Sequence, residues 1–171
     1  IKWDPDLAEA WNNKGNALNY LGEYDDAIKA FDEAIRLDPN STKAWQNKGV
    51  ALRRQGNYDE AIRAYDEAIR LDPNLAATWN NKGTALGIQG KYDEAIKAFD
   101  EAIRLDPRYA APWSNKGEAL NGQGKYDESI KAFDEAIRLD PNIYDAWQNK
   151  GIALNASGRN AEADAAFARA R

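Results

Sequence analysis

Five tryptophans, Trp11, Trp45, Trp79, Trp113 and Trp147, stand 34 residues apart along this chain of 171 residues. A fixed period of that size confines the fold to stacked copies of one small supersecondary unit. Other residues keep the same step. Gly15, Gly49, Gly83, Gly117 and Gly151 each follow a tryptophan by four residues, and a second series runs Gly22, Gly56, Gly90, Gly124, Gly158. Prolines recur at Pro39, Pro73, Pro107 and Pro141, with Pro5 as an earlier echo. The segment Glu-Ala-Ile-Arg-Leu-Asp-Pro is unchanged at 33–39, 67–73, 101–107 and 135–141. One repeat domain, 1–171, thus divides into repeats 8–41, 42–75, 76–109, 110–143 and 144–171. Residues 1–7 match the tail of a preceding repeat, with Trp3 where later repeats have Leu37, Leu71, Leu105 and Leu139.

Each repeat reads as two helices. Ala10, Trp11, Gly15, Leu18 and Leu21 fall at helical spacing and form one apolar stripe. Gly22 then supplies the residue most at ease in the left-handed conformation that closes a helix. Asp25 is predicted to cap the second helix, with Asp26 adding charge near its positive end. That helix carries Ala27, Ile28, Ala30, Phe31, Ala34, Ile35 and Leu37, and stops near Asp38 because Pro39 disfavours α conformation in the residue before it. Asn40 or Ser41 is placed to cap the next helix. Arg108 is a poorer cap, and Pro112 predicts a late start for the first helix of the fourth repeat.

The small residues have a packing role: Gly15 and Ala27 allow two helices to approach, while Trp11 and Phe31 fill the space around the crossing. A helix pair cannot bury both apolar faces alone, so stacking must supply the core. The last helix, Ala161 to Arg171, has Asp164 and Arg171 in place of isoleucines and Asn160 in place of tyrosine. That polarity is expected of a terminal cap.

Composition closes off other classes. The chain has no Cys, His or Met, which removes zinc fingers, haem ligation, disulfides and Ser-His-Asp catalysis. With 28 acidic against 23 basic residues the net charge is -5, a poor match to nucleic acid. No apolar run is long enough to span a membrane. The carboxylates sit in repeating caps and surface pairs, and Asp-Pro-Asn lacks the oxygen-rich spacing of a calcium loop. No catalytic residue, metal ligand or cofactor is therefore assigned, and a non-enzymatic protein is expected. The chain begins Ile1-Lys2-Trp3, so the natural start is expected upstream. Zero cysteine does not fix the compartment; a cytoplasmic location is the expectation.

Trp11, Gly15, Ala27, Phe31, Ala34 and Pro39, repeated over virtually the whole chain, resemble the tetratricopeptide repeat family. Two columns depart from its pattern. Lys14, Lys48, Lys82, Lys116 and Lys150 replace an expected leucine, and Leu18, Leu52, Leu86, Leu120 and Leu154 an expected tyrosine. Such a lysine can lay its stem along apolar surface and keep its ammonium wet. The resemblance implies an all-α fold: a right-handed superhelical solenoid of antiparallel helix pairs, first helices lining a concave groove and second helices facing outward.

The resemblance also implies an interaction scaffold for peptides or proteins, and it places groove positions one, two, five, eight and nine residues after each tryptophan. The second of these is always asparagine: Asn13, Asn47, Asn81, Asn115 and Asn149. Before them stand Asn12, Gln46, Asn80, Ser114 and Gln148. An asparagine offers both donor and acceptor, so one per repeat resembles a ladder that grips an extended peptide backbone. The other reading is that these amides satisfy neighbouring groups of the fold. Lys43, Arg53 and Arg54 form a basic cluster suited to acidic side chains or a terminal carboxylate, or simply a solvated surface. The remaining lining is mixed: Asn16, Tyr20, Thr84, Ile88, Glu118, Asn121, Asp145 and Ile152. The rivals are a structural or self-associating array, or a consensus-type repeat protein, without a specific ligand, and less favoured, a single-stranded RNA binder. An uncovered first helix invites end-to-end self-association.

Overall fold

The computed structural model describes residues 5–170; Trp3 and Arg171, both singled out above, lie outside the described residues. Among the described residues the regular structure is entirely helical. The chain divides into two compact units, Ile1–Ala85 and Leu86–Arg171. The first holds α1 (Pro5–Leu21), α2 (Tyr24–Leu37), α3 (Thr42–Gln55), α4 (Tyr58–Leu71) and most of α5 (Ala76–Ile88). The second holds α6 (Tyr92–Leu105), α7 (Ala110–Gly122), α8 (Tyr126–Leu139), α9 (Tyr144–Ala156) and α10 (Asn160–Arg169).

In the first unit α1 packs on α2, α2 on α3 and α3 on α4, and α1 also touches α3. In the second, α6 to α10 pack in the same consecutive way, and α7 touches α9. Touching helices joined by two residues must run antiparallel, and Gly22 makes that turn at φ 83°. The second helix ends as expected. Asp38 is extended, at φ -133° and ψ 91°, ahead of Pro39. Its Oδ1 accepts from Asn40 N at 3.1 Å, the turn that aspartate favours.

Three local expectations require correction or narrowing. Asp25 is not the cap of α2: that position is Glu23, with no side-chain capping bond. Asp25 lies inside the first turn, and its carboxylate accepts from the Gln55 side chain of the next repeat. The same link joins Gln123 Nε2 to Asp93 at 2.7 Å. Of the two candidates at the next helix, Ser41 is the cap; its Oγ accepts from Ala44 N at 3.4 Å. Nor does Pro112 delay α7, which starts at Ala110, in register with Ala76 of α5. The proline sits in the first turn, where an amide needs a partner outside the helix ladder. Thr78, its counterpart, donates to Leu75 O at 3.0 Å. Tyr109, the cap of α7, makes no side-chain capping bond, and Pro112 has no N–H to require one.

The core is built on a glycine–aromatic contact. The Phe31 ring occupies the space beside Gly15, so that a Cβ there would meet it at 2.5 Å. Gly49 receives Tyr65, Gly117 receives Phe133 and Gly151 receives Phe167 in the same way. Alanine lines the facing helix at Ala27, Ala61 and Ala95, each fully buried. Ser129 takes that place once, and its hydroxyl donates to Gly117 O at 2.8 Å.

The repeated lysines hold neighbouring repeats together, so their ammonium groups are less free than expected. Lys48, Lys82, Lys116 and Lys150 meet Asp32, Asp66, Asp100 and Asp134 of the preceding second helix at 2.5–2.6 Å. Each side chain is only 20–24% exposed. Each ammonium also lies 5.5–5.8 Å from its own repeat's tryptophan ring, within cation–π range. Trp45, Trp79 and Trp147 donate through Nε1 to Pro39, Pro73 and Pro141 O at 3.1–3.2 Å. Tryptophan and proline, six residues apart, thus secure the entry to each of these first helices.

Candidate functional site

The predicted groove residues come from first helices, and in the first unit α1 and α3 lie side by side. A cavity of about 520 Å³ is lined there by Asn12, Asn13, Asn16, Lys43 and Asn47, together with Glu9 and Asp38. Five of the predicted residues are thereby brought together: Asn12, Asn13, Asn16, Lys43 and Asn47.

They are not equivalent. Asn13 is exposed, whereas Asn12 is only 7% exposed. Asn47 Nδ2 donates to Asn12 Oδ1 at 3.0 Å, so this pair ties α3 to α1. Asn80 is also buried, at 6% exposure, while Asn81 and Gln46 are half-buried. The position directly after each tryptophan is therefore not a uniform groove surface. Asn12, Asn80 and Ser114 are each buried, at 7%, 6% and 5% exposure.

The second unit shows the same double use. Asn149 Nδ2 donates to Glu118 Oε1 at 2.8 Å, and Asn149 O accepts from Asn121 Nδ2 at 3.4 Å. Burial raises the Glu118 carboxyl above its ordinary range, and Asp145 adds to the rise, while the Asn149 bond opposes it. Asn115 is half-buried, and Gln148 is exposed. At Asn47 and Asn149 the asparagine column thus serves neighbouring groups of the fold. Asn47 and Asn149 each spend a donor on the preceding first helix, which fixes the amide while its oxygen takes no part in that bond.

The basic cluster does not hold as one group. Lys43 lies in the first turn of α3 and Arg53 and Arg54 in its last, about 15 Å apart at 1.5 Å per residue. Arg54 Nη1 donates to Asn19 O, at the end of α1, at 3.4 Å. Arg53 is half-buried, and its Nε has no hydrogen-bond partner. Two polar atoms near this end escaped the sequence reading. Asn19 Oδ1 and Tyr65 Oη are both buried without a partner. The signal for Tyr65 was present: its column is otherwise Phe31, Phe99, Phe133 and Phe167.

Among the described residues no group of three or more acidic side chains is placed to hold a metal ion. No helix there is long and apolar enough to cross a membrane.

Comparison with known proteins bears on the fold. A family model for the tetratricopeptide repeat matches residues 3–42, 12–76, 80–142 and 115–171. No match was found among curated protein sequences. Among solved structures the chain is similar to a crystal structure of MamA, with TM-score 0.83, 27% identity and 91% of each chain covered. A MamA fragment from Desulfovibrio magneticus RS-1 gives TM-score 0.87 at 23% identity, covering 96% of this chain and 93% of that one. YrrB, described as a TPR protein with an unusual peptide-binding site, gives 0.75 at 22% identity, covering 94% and 82%. The chain belongs to the tetratricopeptide repeat family, whose members commonly serve as non-catalytic scaffolds that bind proteins or peptides.

Proposed function

We propose that this protein is a non-catalytic scaffold that holds an extended peptide segment along the face of its first helices. The observation that carries the reading is the cavity between α1 and α3, where Asn13, Asn16, Lys43 and Asn47 converge. Its lining is polar but offers both donors and acceptors, which suits a peptide backbone better than an apolar ligand. The bond from Asn47 to Asn12 sharpens the ladder reading. An amide fixed through one N–H presents its oxygen to a ligand N–H without a further ordering cost. That YrrB, a protein of the same fold, has a peptide-binding site is consistent with this reading, which rests on the residues of this chain.

Each neutral hydrogen bond contributes about 0.5–1.5 kcal/mol net, so a few of them give affinity on the order of micromolar. Asn13 is the cleanest probe because it is exposed. For a peptide selected on an array, Asn13→Ala with Asn47→Ala should weaken binding by about tenfold, measured by fluorescence anisotropy. Asn13→Ala alone should weaken it severalfold with no change in Tm. Unchanged affinity in both variants would remove the asparagines from the site.

A further inference from the structure

In the second unit two neighbouring first helices meet through like charges. Asp145 and Asn149 stand one turn apart on the same side of α9, and both act on Glu118 of α7. The Asn149 amide donates to Glu118 Oε1 at 2.8 Å, and Asn121 of α7 donates to Asn149 O at 3.4 Å. The Asp145 carboxylate brings its negative charge to bear on the same glutamate. Among the described residues no cation offsets it. Lys116 of α7 is engaged by Asp100, and Lys150 of α9 by Asp134. The other helices packed on α7, α6 and α8, bring no charge to Glu118 among the described residues.

Repeat-to-repeat differences single out the same place. Counted from its tryptophan, Glu118 stands in a column that otherwise reads Asn16, Val50, Thr84 and Ile152. Asp145 stands in one that reads Glu9, Lys43, Ala77 and Ala111. Where α1 meets α3, the matching places are held by Asn16 and Lys43, and the equivalent amide, Asn47, donates to the neutral Asn12. The paired acids therefore belong to the α7–α9 contact. Glu118 and Asp145 are both exposed as residues, so protons reach them from solvent.

We propose that the α7–α9 contact is a proton-sensitive latch, in which proton uptake by Glu118 removes its repulsion with Asp145 and leaves the Asn149 bond in place. A protonated carboxyl keeps an acceptor oxygen for the Asn149 amide, so the bond does not depend on charge. Burial of the carboxyl group raises Glu118 above its ordinary value of 4.5, Asp145 adds to the rise, and the Asn149 bond opposes it. With a raised value in the fold, the added stability is complete below pH 4.5 and is lost as pH rises through the raised value. The latch is thus tighter in mildly acid solution than at neutral pH. It stands independently of peptide binding.

Native-state hydrogen exchange of the full chain tests this, with protection corrected for the intrinsic exchange rate at each pH. Between pH 4.5 and neutral pH, the amides of α7 and α9 should lose protection severalfold, and those of α1 and α3 much less. Glu118→Gln, which keeps the shape and the neutrality of the protonated side chain, should abolish that loss and retain high protection at neutral pH. Asp145→Asn should shrink the loss in part, because burial also acts on Glu118. The side-chain carboxyl signal of Glu118 should titrate above 4.5, and closer to it in Asp145→Asn. A loss of the same size in Glu118→Gln, or one shared equally by α1 and α3, would overturn the latch. So would protection in α7 and α9 that does not change with pH.

Discussion

Replacing Phe133 with alanine should lower the stability of the second unit by about 3–5 kcal/mol, the usual cost of removing a buried aromatic ring. The ring is wholly buried, and it packs with Ala136, Ile137 and Ala146 against Trp113, Ile143 and Trp147. No water can fill so apolar a space favourably, and the backbone around Gly117 already touches the ring. The surrounding helices have little room to collapse. Urea unfolding followed by tryptophan fluorescence reads the change directly, since Trp113 and Trp147 line the same cluster. A cost under about 1 kcal/mol would mean that the glycine–aromatic contact is not the core of the repeat.

One substitution should act in opposite directions at two glycines. Glycine inside a helix is about 0.5–1 kcal/mol less favourable than alanine, so Gly→Ala is stabilising where there is space. At Gly87 there is: a new Cβ would find Ala95 Cβ at 4.0 Å, ordinary contact. Gly87→Ala should therefore raise stability by about that amount. At Gly117 a new Cβ would lie 2.7 Å from Phe133 Cε1, and the ring is enclosed on its other sides. Overpacking of this kind costs about 1–3 kcal/mol, enough to outweigh the gain in helix propensity. Gly117→Ala should destabilise, and Phe133→Leu in the same chain should relieve part of the loss. The two alanine variants shifting Tm in the same direction would contradict this packing.

Much of the fold was legible because it is written several times over. The 34-residue step, the two-helix reading, the left-handed Gly22 and the stop at Asp38 all follow from local chemistry, and the structure has them. Local chemistry misled where a neighbouring repeat competed for the same group. Asp25 looks like a cap from its own repeat alone; in the fold it serves Gln55 of the next. Lys116 and Asp100 lie 16 residues apart, on helices whose relative rotation no single-repeat periodicity reveals. Their recurrence in step, one acid and one base per repeat, was the available signal.

The site was less legible for the same reason. Asparagine has donors and acceptors close to its backbone, so the adjacent first helix reaches it before any ligand does. Asn12 and Asn80 are drawn inward, and Asn47 and Asn149 are shared between the fold and the open face. Lys43 and Arg53 look like one cluster in sequence, but helix length separates them.

In the proposed function, peptide is held by the first helices and not by the charged outer surface. An NMR titration of the ¹⁵N-labelled protein with an array-selected peptide tests it most directly. The side-chain amide signals of Asn13 and Asn47, and the backbone signals of α1 and α3 around them, should shift in proportion to occupancy. Those of the exposed faces of α2 and α4, around Lys29 and Arg63, should stay in place. Shifts confined to α2 and α4 at saturating peptide, with Asn13 and Asn47 unmoved, would contradict the account.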